Sequence, residues 1–357
     1  MKTILIPILL SAIISFSCIC GGGSPQTNNP IPSISYKVTM VRNDTLYTYG
    51  DSFTAGFNAT PNDSCYAKRL ATYYSDVLVN RGVGGSTVNA AYISFKTDKL
   101  SGKDKPVTMM SGVNDLRGVT HQHPILTLQC MGYFKSAITL QFLKSYVFAT
   151  STSVIKSGTW DSSTTDLVTG LHSKYLTSST ANSTATYIFT DSTLVIGTFG
   201  SNGYGVVSGH FEVTIDGIFK GRYFFGAYGL AGYTPQTLVF RGLSNASHTV
   251  VVTKIGTNKI ALDYFGHLKN SSDCKPIIIG EVPNWNKADF TGYMGTNFYE
   301  YINTQICNIK SDYYGYPVII APVNTYLNPN LDIDTDNVHP TNQGHRHIFE
   351  SFLSVTQ

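Results

Sequence analysis

Two short stretches near opposite ends of the chain place reactive side chains at spacings that suit nucleophilic chemistry. Residues 49–56 read YGDSFTAG and follow the polar/apolar alternation NDTLYT. A serine just past the carboxyl end of a strand, on a turn into a helix, exposes its hydroxyl where parallel sheets collect functional groups. That makes Ser52 a candidate nucleophile. Gly50 and Gly56 would let the backbone turn sharply and approach a substrate closely. Near the C-terminus, DTDNVHP sets Asp336 three residues before His339, a spacing at which two side chains meet on one side of a short turn. Taken singly, these residues have ordinary readings: Gly-Asp-Ser caps a helix, Asp336 is a solvated loop carboxylate, and His339 enters a helix before Pro340.

The elements around them read as two kinds of structure. From Asp44 to about Thr150 three apolar strands are expected, TLYTYG, DVLVNRG and PVTMMSG, together with the helical stretches SCYAKRLATYYS and TLQCMGYFKSAITLQFLKSY. After Cys274 the pattern resumes with KPIIIGEVP, a helix from about Thr291 to Ser311, YPVIIAPVN, and a last helix from about Asn342 to Phe352. Five strands alternating with helices predict a parallel sheet covered on both faces. The stretch from about Ser151 to Leu268 differs. TLVIGTFGS, GHFEVTIDGIFKGRYFFGAYG, QTLVFRGLSNASHTVVVTKIG and KIALDYFG are period-two or β-branched runs separated by Gly, Asn and Asp, with a hairpin signal at Asp216-Gly217. They predict an all-β sandwich inserted between the third and fourth strands. The expected organisation is a leader over 1–17, a tether over 18–43, an α/β core in two parts over 44–150 and 269–357, and a β domain over 151–268.

Four blocks stand in order at the expected strand ends: YGDSFTAG, then NRGVGGST with Gly82, Gly84 and Gly85, then SGVNDLRG with Gly112 and Asn114, then DTDNVHP. Together they resemble the SGNH, or GDSL, hydrolase family, over the α/β portion and not the insertion. The resemblance implies a flavodoxin-like three-layer α/β/α fold with a five-stranded parallel sheet; the inserted all-β, jelly-roll-like sandwich is expected from the strand pattern alone. The resemblance also implies Ser52 as nucleophile, His339 as the base that takes its proton and returns it to the leaving alcohol, and Asp336 as the carboxylate that holds the imidazole. The oxyanion would be held by the backbone N–H groups of Ser52 and Gly85 and by the side-chain amide of Asn114. Gly84, one residue away, fits the same block. The implied reaction is hydrolysis of O-acyl esters through an acyl-Ser52 intermediate, with no metal or organic cofactor. No G-x-S-x-G elbow occurs, Thr54 standing where its second glycine would be, which argues against the α/β-hydrolase route to such a triad.

Composition narrows the remaining classes. A chain of 357 residues, 42% hydrophobic and 13% charged, folds into a globular core. A net charge of +3 without a Lys/Arg stripe argues against nucleic acid as a partner. MKTILIPILLSAIISFSC has one lysine and an apolar run from Ile4 to Phe16, shorter than the roughly 20 residues a membrane span needs, and reads as a signal peptide. Small residues before Cys18, followed by GGGSPQTNNPIPS, resemble a bacterial lipoprotein signal with lipid on Cys18. Plain cleavage after Ser17 is the alternative. The protein is therefore expected to be secreted or at the cell surface, touching a membrane only through that anchor. In an oxidising compartment Cys65, Cys130, Cys274 and Cys307 could form two disulfides. They show no C-x-x-C spacing for zinc. Sequons at Asn43, Asn58, Asn62, Asn182, Asn245 and Asn270 would matter only in a eukaryotic secretory pathway.

Other motifs are weaker. DIDTDN, from Asp332, resembles the start of a calcium loop, but Asn337 replaces its glycine, Gln343 its bidentate Glu, and Pro340 interrupts it. His121 with His123, and His345 with His347, alternate like metal pairs that lack a third ligand, so structural or surface histidines are expected. Of the aromatics Tyr204, Phe211, Phe219, Tyr223, Phe224, Phe225, Tyr228 and Tyr233, about half are expected in the sandwich core. The remainder would form a platform for sugar rings or a wall beside the cleft. Export and this aromatic insertion point to an acetylated glycan as substrate, within the wider class of acylated small molecules. The rivals are a lipase or broad esterase, and a surface carbohydrate-binding lipoprotein whose α/β core is a relic.

Overall fold

The computed structural model describes residues 37–116, 123–163, 175–202, 207–224, 232–283, 298–336 and 338–357. Strand β1 (Thr45–Gly50) pairs in parallel with β2 (Val77–Gly82) on one side and β3 (Val107–Met110) on the other. Strand β4 (Ile277–Gly280) lies beside β3, and β5 (Val318–Ala321) completes the sheet, giving the order β2-β1-β3-β4-β5. The strands β3 and β4 are short apolar runs buried along their whole length, as strands covered on both faces must be.

Helices between the strands supply the cover. After the short α1 (Ser52–Ala55), α2 (Tyr66–Tyr74) buries Tyr66, Ala67, Leu70, Ala71 and Tyr74, one stripe of a helix with a 3.6-residue period. Next come α3 (Val88–Leu100), α4 (His123–Phe142) and α5 (Phe298–Asp312). The last helix, α6 (Asn342–Ser354), is capped by Thr341 and turns His345, Ile348 and Phe352 inward. Phe352 stacks on Tyr66 with ring centroids 5.2 Å apart, which fastens α6 to α2.

Between β3 and β4 the chain builds two antiparallel sheets. One runs in the order 218–224, 210–215, 247–255, 184–190, 154–157; the other in the order 232–241, 193–202, 260–268, 175–178, 161–163. Val213, Val250 and Val252 of the first meet Leu194, Ile196, Leu262 and Phe265 of the second in a dry layer between the sheets. The other face of the second sheet packs on α4, where Val195 and Tyr264 join the cluster containing Ala137 and Phe142. This β module is rooted at the amino-terminal edge of the parallel sheet. Lys269 donates its N–H to the Phe142 carbonyl at 2.8 Å. Gln141 Nε2 donates to the carbonyls of Lys105 and Lys275, which directly precede the segments leading into β3 and β4. The first and last described segments meet at the same edge: the Val38 and Met40 N–H groups donate to the Val355 and Gln357 carbonyls at 3.0 and 2.9 Å.

Two expectations are corrected. The helical stretch expected to run to Tyr146 stops at Phe142, and Leu143–Phe148 is a strand of the β module, so antiparallel structure begins before residue 151. Its apolar run fits either state, and pairing with Tyr264–Leu268 decides it. The two disulfides do not form: among the described residues, Cys65, Cys130, Cys274 and Cys307 are joined by no S–S bond. Each answers to a different neighbourhood. Cys65 caps α2, Cys130 is buried within α4 beside Asp115, Cys274 donates to the Asn270 carbonyl at 3.3 Å, and Cys307 is exposed on α5. The leader, the tether up to residue 36 and Cys18 lie outside the described residues.

Candidate active site

Ser52 stands two residues past the end of β1, with Asp51 between them, and opens α1. Asp51 caps that helix through its side chain, which accepts the Phe53 N–H at 3.1 Å. Gly56, at φ 87°, ends it by donating its N–H to the Ser52 and Phe53 carbonyls, a left-handed position where glycine carries no Cβ penalty. A Cβ on Gly50 would collide with the Met110 carbonyl and Thr54 Oγ1. The two glycines flanking the serine thus let β3 and α1 close on the strand end and stop the helix after one turn. Asp51 is fully enclosed, and burial pushes its carboxyl up to about 7 against the pull of the Phe53 N–H.

His339 reaches Ser52 from the far end of the chain. Its Nε2 lies 2.9 Å from Ser52 Oγ and its Nδ1 2.6 Å from Asp336 Oδ2. A carboxylate only accepts, so Nδ1 carries the hydrogen and Nε2 accepts from the Ser52 hydroxyl. The other Asp336 oxygen accepts the N–H groups of Val338 and His339, each at 2.9 Å, which closes the turn that the three-residue spacing allows. Burial would raise the Asp336 carboxyl, but the His339 N–H, the imidazole and the Val338 N–H outweigh it and hold it at about 2. It is ionised at any pH at which the protein works.

The remaining two candidates meet on one turn. Residues Val83–Ser86 form it, closed by the Ser86 N–H on the Val83 carbonyl at 3.1 Å, with Gly85 at φ 76°. The Val83 N–H and the Ser86 hydroxyl both donate to the Gly50 carbonyl, at 3.1 and 2.9 Å, so the turn hangs on the residue two before Ser52. Space beside Gly84 and Gly85 is open. Asn114, past β3, donates from Nδ2 to the Ser86 carbonyl at 3.0 Å. An amide has two such hydrogens, and this contact uses one. Asp115 accepts the Val88 N–H at 2.9 Å and so pins the start of α3, while burial lifts its carboxyl to about 6.

Other sequence candidates are dispersed. Asp332 pairs with His347 Nδ1 at 2.7 Å, Asp336 serves His339, and Asn58 donates to Asp334 at 2.9 Å and to Asp336 at 3.5 Å, so the carboxylates of the calcium-like stretch are engaged by other side chains. His345 and His347 part company on α6: His345 Nε2 donates to the Phe57 carbonyl at 2.9 Å, and burial holds its imidazole down at about 4. His121 lies outside the described residues, and His123 opens α4. Among the described residues no group of three His, Cys, Asp or Glu side chains could hold a metal ion. Of the module's aromatics, Phe211 is core, Phe219 is exposed, Tyr223 packs against Phe211 and Phe240, and Phe224 stacks on His210 at 4.6 Å. Tyr204, Phe225, Tyr228 and the side chain of Tyr233 lie outside the described residues.

Sequence reasoning passed over Phe57 and saw in Asn58 only a sequon. Phe57 lies against the His339 imidazole with centroids 4.5 Å apart. Asn58, at φ 63°, ties the nucleophile's loop to Asp334. A phenylalanine one residue past a glycine carries no mark that separates it from a core residue.

No family model and no curated protein matches the chain. Solved structures resemble it at low identity. A member of the lipolytic protein G-D-S-L family from Veillonella parvula DSM 2008 is 12% identical with a TM-score of 0.42, over 87% of this chain and 97% of that one. A two-domain esterase (CEX) active on acetylated mannans, co-crystallized with mannopentaose, is 12% identical with a TM-score of 0.34, over 64% and 91%. A family 35 carbohydrate binding module from Clostridium thermocellum is 15% identical with a TM-score of 0.28, over 34% and 96%.

Proposed function

We propose that this protein is an exported serine esterase of the SGNH type that hydrolyses O-acyl esters, above all O-acetyl groups on a glycan. One observation carries the reading: a continuous line from the Ser52 hydroxyl through His339 to Asp336, drawn from residues 287 positions apart. Chance gives no reason for that line to end at the carboxyl edge of a parallel sheet, beside a glycine turn and an amide. The strand order β2-β1-β3-β4-β5 supports a flavodoxin-like core.

In this reading the Ser52 oxygen attacks the ester carbonyl as its proton passes to His339 Nε2, and the imidazolium is steadied by ionised Asp336. The carbonyl oxygen becomes an oxyanion held by the N–H groups of Ser52 and Gly85 and the Asn114 amide. Collapse breaks the C–O bond, and His339 returns the proton to the departing alcohol. Water then attacks the acyl-serine with His339 again as base, releasing the acid and free Ser52. No step calls on a metal or organic cofactor. Export through the 1–17 leader, with lipid on Cys18, belongs to the same reading, as does the glycan preference, which rests on export and the β module.

The test is a purified-protein assay on short-chain esters, long-chain esters and acetylated polysaccharide, in wild type and Ser52→Ala. Turnover of acetyl esters that disappears in Ser52→Ala is expected. A preference for long acyl chains would replace the acetyl-glycan reading with a lipase. Undiminished turnover in Ser52→Ala would remove the nucleophile assignment. Mass spectrometry of the mature N-terminus separates a lipid-bearing Cys18 from cleavage alone.

A further inference from the structure

Phe57 is 53% exposed, yet its backbone is held on each side. Its N–H donates to the Ser52 carbonyl at 2.9 Å, and its own carbonyl accepts from His345 Nε2 at 2.9 Å. The next residue, Asn58, sits in the left-handed region with its side chain fixed on Asp334. The ring therefore stands half in water from a rigid perch, packed against the His339 imidazole at 4.5 Å with planes 36° apart. An aromatic face kept exposed beside reactive groups is apolar surface that a ligand can cover with gain.

Which half of an ester covers it follows from the reaction proposed above, on which this inference rests. The leaving alkoxide takes its proton from His339 Nε2, so the alcohol oxygen stands against the imidazole. The carbonyl oxygen points the other way, to the turn at Gly85, which hangs from β1 through Gly50, and to Asn114, which is bonded to that turn at Ser86. Phe57 is held by the Ser52 carbonyl and by His345 of α6, its neighbour Asn58 by Asp334, and its ring lies on the His339 imidazole. A ring that touches the imidazole from that side borders the alcohol and not the acyl chain.

We propose that Phe57 is a specificity-determining residue for the alcohol half of the ester. Its free face takes a ring that offers a flat set of C–H groups, as a pyranose does, and so favours ring alcohols over short alkyl alcohols.

The experiment compares kcat/KM for cyclohexyl acetate and ethyl acetate, and for acetyl and butyryl esters of one alcohol, in the full-length wild type, Phe57→Ala and Phe57→Trp. In Phe57→Ala the cyclohexyl-to-ethyl ratio is expected to fall about tenfold, through KM, as half an aromatic face of burial is lost. Phe57→Trp is expected to hold or raise the ratio, and the acetyl-to-butyryl ratio to stay within about twofold in both variants. Circular dichroism follows folding. Phe57→Leu, which keeps apolar bulk without the flat face, takes the place of the alanine variant if that one unfolds, with an intermediate drop expected. Turnover with an unchanged alcohol ratio, or a change confined to the acyl ratio, overturns the assignment alone. A wild type that hydrolyses no ester overturns the esterase reading and this assignment together.

Discussion

Among the described residues the chain twice brings a serine, a histidine and an aspartate within hydrogen-bond reach, and the two sets differ by one backbone oxygen. In the parallel core, His339 Nδ1 faces Asp336 and Nε2 has the Ser52 hydroxyl before it. In the β module, His248 Nδ1 faces Asp216 at 2.6 Å, and Nε2 lies 3.2 Å from Ser244 Oγ but 2.8 Å from the Ser244 carbonyl. A carbonyl only accepts, so Nε2 of His248 bears a hydrogen, and the ring donates on both sides. The Asp216 carboxylate and then the Ser244 carbonyl raise its pKa, which favours the cation. An imidazole so committed has no lone pair for a serine proton. Residue types in contact therefore do not make a proton relay; the free nitrogen does.

The first way to break this comparison is to delete each serine. Ser52→Ala is expected to lower kcat/KM on an acetyl ester by about 10⁴-fold or more, and Ser244→Ala to leave it within about twofold. Equal losses would abolish the distinction. Removing each aspartate's charge comes next. Asp336→Asn is expected to cut kcat by about 10³–10⁴-fold with KM little moved, whereas Asp216→Asn lowers the thermal midpoint by about 2–4 °C without touching kcat. A third variant sharpens the account of the core set: Asn114→Ala should reduce kcat by about 10²–10³-fold if its amide serves the oxyanion. A purely structural loss of the Ser86 contact would lower the midpoint and spare kcat.

Histidine titration gives the smallest and most discriminating contrast. His345 is held at about 4, below the ordinary 6.5, so its contribution to stability is complete above pH 6.5 and disappears as pH falls toward 4. The full span is about 3 kcal/mol. His345→Gln should flatten that limb in urea unfolding measured from pH 7 to 4.5. His248 runs the other way, its pKa being raised: its contribution is present below the ordinary histidine value and fades as pH rises through the raised one. His248→Gln should remove that fade. Parallel slopes in the two variants would contradict the assigned protonation states.

What could be read in the sequence was local. Gly-Asp-Ser at a strand end and Asp-x-x-His in a turn are motifs whose geometry is settled within a few residues, and it was their order with the Gly85 and Asn114 blocks, not either one alone, that named Ser52, Asp336 and His339. The alternating β runs likewise announced antiparallel sheets, because period-two burial is written residue by residue. Contacts made at a distance left no such mark. The pairing of Leu143–Phe148 with Tyr264–Leu268 overrode a run that also suits a helix. Helix α3 buries Val88, Ala91, Tyr92 and Phe95 at helical spacing, but Lys96 and Asp98 are buried beside them and blur the stripe in the sequence. The bond from His345 to a carbonyl 288 residues earlier has no trace in the spacing of GHRH. The cysteines suggested cross-links by their number, whereas a thiol's partner depends on where folding leaves it.

The hydrogen bonds that join Val38 and Met40 to the end of α6 fix more than two loose ends. They hold the first described residues at the end of the parallel sheet opposite Ser52. Anything joined to the core through Val38 therefore enters at the blunt end of the parallel sheet, away from Ser52.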